Sequence, residues 1–127
     1  MKKTSFFMIF LFTFVMVSPK LSWGAYLTGT DLTRACSSGE KEQQNMCLGY
    51  IAGMIDYHNL MRSLGTSPTV DFCIPNQVTL GAAAARVAQY LVMQPQHDSF
   101  IAAPAVTLAL YQAYPCGGKS KARKKKK

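Results

Sequence analysis

Within CLGYIAGMIDYH, Cys47 to His58, a cysteine, an aspartate and a histidine fall inside twelve residues. A thiol hydrolase is built from those side chains: a thiolate attacks, an imidazole takes its proton, and a carboxylate orients the imidazole. The chemistry needs thiol and imidazole in hydrogen-bond contact, near 3 Å. On a helix, the eleven steps from Cys47 to His58 cover about 16 Å of axis, and the nine to Asp56 about 13 Å. A helical reading of this stretch therefore separates the three groups by turns. The other histidine, His97, lies in a turn region with nothing to place it near a thiol. Two isolated histidines without close Cys/His spacing also make no metal ligand set, and no cofactor motif is present. His58 reads as a partly exposed residue near a helix end, His97 as a loop residue, and the chain as a non-enzyme.

The compartment bears on the cysteine. Lys2 and Lys3 precede the uncharged apolar run FFMIFLFTFVMV (Phe6–Val17), followed by Pro19 and the small residues Ser22 and Gly24. The run is short for a bilayer span and ends in a cleavage-like site. Residues 1–24 are therefore expected to be a secretory signal peptide cut after Gly24, with an uncleaved anchor as the alternative. The remaining 103 residues form one domain that benefits from staples. All four cysteines (Cys36, Cys47, Cys73, Cys116) lie in that exported part. An even number in an oxidising compartment predicts two disulfides over free thiols.

The formal charge of +8 comes largely from one end. Residues 119–127 hold seven positive charges, whereas residues 25–118 hold four basic residues against six acidic ones. The expected organisation is a slightly acidic domain over 25–118 and a disordered Lys-rich tail over 119–127. The tail suits contact with anionic envelope surfaces, with a plain aid to solubility as the alternative. Nucleic acid is not an expected partner, because the body is not basic.

Four helical segments follow from pattern and punctuation. The first is capped by Thr28 or Thr30 and runs to about Cys36. The second begins near Gln43 and reaches Arg62 or Leu64, with Leu48, Ile51, Ala52, Ile55 and Asn59 on one stripe. Thr79 caps a third, whose expected inner face is Leu80, Ala84, Val87, Ala88 and Leu91, and Pro95 ends it. A fourth starts around Ala102 to Pro104, where proline is tolerated, and runs to about Ala113, with Val106, Leu108, Ala109 and Leu110 inside. The fold class is all-α, a small four-helix bundle of two helical hairpins. Spacing alone allows three disulfide pairings. The hairpin layout favours Cys36–Cys47 and Cys73–Cys116, each clamping one hairpin.

Gly49, Gly53 and Asp56 share one face of the second helix. Each interior glycine costs on the order of 1 kcal/mol against alanine, so two in register need a reason. Either a neighbouring helix packs closely there within the monomer, or the face is a contact between two copies. Asp56 is a candidate cap for another element or partner for Arg62 or Arg86, with an isolated surface aspartate as the default reading.

The ordered series YLTGTDLTRAC, CLGYIAGMIDYH, FCIPNQVTLG, QYL and AYPC resembles the Rap/Tai family of periplasmic immunity proteins of type VI secretion systems. The resemblance spans about Tyr26 to Cys116. Its specific parts in combination are C-x-G-Y-I-x-G (Cys47, Gly49, Tyr50, Ile51, Gly53), F-C-I-P (Phe72–Pro75) and V-T-L-G (Val78–Gly81). The family implies a small, helical, disulfide-bonded protein, usually a homodimer. Its implied task is to bind and block a peptidoglycan-cleaving amidase effector delivered by sister cells. The implied mechanism is occlusion by a loop. The best candidate here is Ser63, Leu64, Gly65, Thr66, Ser67, Pro68, Thr69, Val70 and Asp71, whose plainer reading is a connector. The reading that competes with immunity is an envelope-binding or chaperone-like module without catalytic activity. For the tail, truncation after Gly118 should leave the thermal transition unchanged and remove only salt-dependent attachment to anionic envelopes. A loss of thermal stability on truncation would count against a separate, solvated tail.

Overall fold

The computed structural model describes residues 26–66 and 68–117; the expected signal peptide (1–24), the Lys-rich tail (119–127) and Ser67 lie outside them. Four helices follow in order: α1 (Gly29–Ser37), α2 (Lys41–Ser63), α3 (Leu80–Met93) and α4 (Ala102–Ala113), with a 3₁₀ turn at Pro95–His97 between α3 and α4. No strand occurs among the described residues; the pairs Thr28–Ile101 and Phe72–Pro115 form isolated antiparallel bridges. The expected all-α bundle is the observed fold, with α1 packed on α2 and α4 on α3.

Local chemistry sets each boundary. The Thr28 hydroxyl accepts the Asp31 N–H (3.2 Å), and Asp31 Oδ2 accepts both the Thr28 N–H (3.2 Å) and its hydroxyl (2.7 Å). This capping box satisfies two donors that a helix start leaves free. Those bonds, led by the Thr28 hydroxyl, hold the Asp31 carboxyl below its ordinary range. A lowered carboxylate stabilises the fold at neutral pH, and that contribution fades as pH falls through the lowered value. α2 starts at Lys41, two residues before Gln43, because Ser38 organises the entry. Its hydroxyl accepts the Glu40 N–H (3.0 Å), and its carbonyl accepts from Gln44 Nε2 (3.0 Å). Thr79 caps α3 by accepting the Ala82 N–H (3.2 Å). Pro95 ends it, forcing Gln94 out of helical geometry.

Both disulfides are the ones the hairpin layout favours. Cys36–Cys47 ties α1 to α2, and Cys73–Cys116 ties the approach to α3 to the residues after α4, with Cα separations of 5.1 and 4.9 Å. Chain-entropy arithmetic for loops of 11 and 43 residues gives about 3 and about 4 kcal/mol. The core they reinforce is thin. It is rich in alanine (Ala35, Ala83, Ala84, Ala102, Ala105, Ala109), and its largest fully buried side chains are Leu32, Ile51, Leu110, Val87 and Val106.

Two inner faces differ from expectation. On α2 the buried positions are Cys47, Ile51 and His58; Leu48, Ala52 and Ile55 are half-buried, and Asn59 is exposed. The disulfide turns Cys47 inward at one end, and a polar tether turns His58 inward at the other, so the face is rotated from the apolar stripe. His58 is therefore corrected from a partly exposed residue to a buried one. On α3, Leu80 is exposed and Ala83 takes the inner place, with Ala88 half-buried. On α4, Leu108 is half-buried, whereas Ala102 and Ala105 are buried.

The two hairpins meet most closely at Gly29. The N–H groups of Gly29 and Thr30 donate to the carbonyls of Phe100 (2.9 Å) and Asp98 (3.1 Å), and Ala102 N–H donates to Leu27 (2.9 Å). A Cβ on Gly29 would overlap the backbone carbonyl of His97. Backbone cannot swing aside as a side chain can. Gly29→Ala is expected to lower unfolding free energy by about 1–3 kcal/mol, measured by denaturant titration. The control Gly81→Ala on α3, whose Cβ meets open space, should raise it by up to about 1 kcal/mol.

Candidate functional site

The apparent Cys–Asp–His cluster is not assembled. Cys47 is oxidised in the Cys36–Cys47 disulfide, and no cysteine is free. Asp56 is exposed, and among the described residues it pairs with neither Arg62 nor Arg86. His97 has its ring near the Tyr90 hydroxyl (3.4 Å). No group of three or more His, Cys, Asp or Glu side chains among the described residues could hold a metal ion.

What His58 does instead is anchor the connection between the hairpins. Its Nε2 lies 2.9 Å from Asp71 Oδ1 and 3.2 Å from the Phe72 carbonyl oxygen. The Phe72 N–H also points at Nε2 (3.4 Å), so this nitrogen meets a carboxylate, a carbonyl and an N–H, and its role follows its tautomer. The Phe72 ring, itself buried, stacks on the imidazole at a centroid distance of 3.7 Å. Arg62, one turn after His58, sets Nε 3.5 Å from the same Asp71 oxygen and donates from Nη1 to Cys73 Sγ (3.2 Å). The Cys73 N–H donates to the Tyr114 carbonyl (2.8 Å), and the disulfide to Cys116 follows. Three consecutive residues, Asp71 to Cys73, are thus fastened to α2 and to the end of α4.

The other end of the connection is fixed by backbone. Gly65 has φ +75°, and its N–H donates to Arg62 O (3.0 Å), while Thr66 N–H donates to Met61 O (2.9 Å). This is the Schellman arrangement, which satisfies the last carbonyls of α2 and favours glycine at the left-handed position. Ser63 is the last residue of α2, with its hydroxyl donating to Leu60 O (2.7 Å). Leu64, Thr66 and Thr69 are exposed, and Pro68 and Val70 are half-buried. A groove of about 180 Å³ opens beside the connection, lined by Met54, Tyr57, His58, Met61, Thr66, Pro68 and Thr107. The connection is therefore a short polar loop held at both ends. Gly65 and Asp71, two of its own members, supply the restraints. His58 and Arg62 are the supports that sequence pattern missed. Their i, i+4 spacing on the last turns of α2, ahead of an aspartate two residues before a cysteine, is the signal that could have found them.

The glycine face is open. A Cβ at Gly49 or Gly53 would meet nothing within 4 Å, so close packing inside the monomer is not the reason for either glycine. Both are exposed, and the row continues at helical spacing through the exposed Tyr57, Leu60 and Leu64 to the loop. Tyr50, half-buried beside them, has its phenol pushed above its ordinary value by that burial.

The described residues form a disulfide-stapled helical bundle with one loop fastened at both ends. A model of the Rap1a immunity proteins matches residues 28–116, from the α1 cap to the last cysteine. The chain belongs to that family. Membership implies an immunity function against a secreted effector, exercised by binding a partner protein, and suggests a non-catalytic role. No curated protein and no solved structure was found to match.

Asp71→Ala removes the carboxylate shared by His58 and Arg62 and leaves the Phe72 backbone to the imidazole. Stability should fall by about 1–2 kcal/mol, and amide exchange over residues 64–71 should accelerate well before that of α1 or α3. Exchange that stays unchanged in the loop would show that the tether does not restrain it.

Proposed function

We propose that the chain is an exported periplasmic immunity protein of a type VI secretion system. It binds a peptidoglycan-cleaving amidase effector and occludes its active site. The observation that carries the reading is the family match over the whole folded part, 28–116. The fastened ends of the loop support it physically: a segment whose ends are already fixed loses less conformational entropy on entering a cleft. In this reading Ser63–Asp71 is the inserting segment. The exposed row Tyr57, Leu60 and Leu64 beside it supplies apolar and aromatic anchors of the kind that dominate protein interfaces.

The face of Gly49, Gly53 and Asp56 is the self-contact of a homodimer. Its support is that neither glycine is used within the monomer, and small residues let two backbones approach. The signal peptide over 1–24 delivers the chain to the periplasm, and the tail over 119–127 rests against anionic envelope surfaces. An amidase gene directly beside this one would supply the partner to test.

Deleting Thr66 to Thr69 should abolish protection against that effector while circular dichroism and the thermal transition report a folded domain. Protection that survives the deletion excludes this loop as the occluding element.

A further inference from the structure

The outer rows of α3 and α4 diverge and leave a cleft of about 560 Å³, a volume in the range of small-ligand sites. It shares no lining residue with the groove beside the loop. Arg86 stands on its α3 wall, one turn after Ala82 and one before Gln89 and Tyr90, and Gln112 and Tyr114 face it from the end of α4.

The charge at this place is positive on a domain that is acidic on balance. Between residues 25 and 118 acidic residues outnumber basic ones six to four. Arg34 and Arg62 each have a carboxylate partner, Asp31 at 3.7 Å and Asp71 at 3.5 Å. Lys41 is exposed and unpaired among the described residues in the first turn of α2, where it lines no cleft described above. Arg86 is exposed and has no carboxylate partner among the described residues, and no acidic side chain lines its cleft. A cation without a counter-charge on the wall of a concave cleft raises the positive potential there. Its planar guanidinium matches a carboxylate with two parallel hydrogen bonds. On either side stand Gln89 and Gln112, which each offer an amide donor and an amide acceptor, the complement of a peptide backbone.

The walls are held before any ligand arrives. The Tyr90 hydroxyl reaches His97 Nε2 (3.4 Å). Tyr114 N–H donates to Leu110 O (2.8 Å), and its carbonyl accepts from Cys73 N–H (2.8 Å), next to the Cys73–Cys116 disulfide. Ala82 offers only a methyl group, so the cleft stays open beside Arg86.

We propose that this cleft is a second binding site, specific for a short peptide segment that carries a carboxylate. Arg86 pairs with the carboxylate, and Gln89 and Gln112 pair with the flanking backbone amides. The site is independent of the loop and of the effector it blocks.

The test is a ¹H–¹⁵N titration of the signal-free, otherwise full-length chain with N-acetyl-alanyl-glutamate, against the uncharged N-acetyl-alanyl-glutamine amide and against inorganic phosphate. The acidic peptide should give saturable shifts at the Gln89 and Gln112 side-chain amides and at Tyr114. Arg86→Gln, an exposed change, should weaken that binding roughly tenfold or more, as expected for a lost charge-assisted hydrogen bond. Ala82→Leu keeps the charge but fills the cleft and should weaken it as well. Absence of saturable shifts with either folded variant's parent overturns the proposal. So does equal binding of the uncharged peptide, equal binding of phosphate, or an affinity that neither substitution changes.

Discussion

The fastening of Asp71, Phe72 and Cys73 is the constraint on which the rest of this molecule depends. A connection between two hairpins would ordinarily be the least ordered part of a small helical bundle. Here its last residues meet a buried imidazole, a stacked ring, a guanidinium and a disulfide within three positions. The imidazole matters most. A buried ring nitrogen left without a partner costs about 1–3 kcal/mol, so His58 and Asp71 hold one another in place. The Arg62–Asp71 pair is half-exposed and adds less, about 0–1 kcal/mol, but it links the same carboxylate to the disulfide sulfur.

The thinness of the core explains why such devices are needed. Alanines let the helices approach closely but bury little area each, so the apolar driving force is modest for a domain of this size. Covalent staples at both hairpins and the backbone contact at Gly29 compensate. They leave the outer rows of α2 free of structural duty, including Gly49, Gly53, Tyr57, Leu60 and Leu64. A helix relieved of packing on one side can present that side to a partner.

Much of the fold was legible. Thr28 and Thr79 announce helix starts, Pro95 announces a stop, and hairpin geometry selected the two disulfides. The inner face of α2 was not legible from apolar periodicity, because its two ends are set by a cysteine and a histidine that a hydrophobic pattern does not count. Leu80 misled for a related reason: it lies in the first turn of α3, before the helix reaches the core. The glycines of α2 announced a requirement without saying whose, and only the open space above them excluded internal packing. Of the candidate loop, sequence gave the position through Gly65 and Pro68. The tether needed coordinates, since His58 and Asp71 are thirteen residues apart and meet only because α2 ends in a Schellman turn.

We propose that the connection Ser63–Asp71, fastened at its two ends, enters a partner. Hydrogen exchange of the chain with and without its effector tests that claim most directly. The predicted result is low exchange at Asp71–Cys73 in the free chain, with new protection on binding confined to residues 64–71 and the adjoining Tyr57–Leu64 row. Protection elsewhere on the bundle, with residues 64–71 exchanging as freely in the complex as alone, would contradict it.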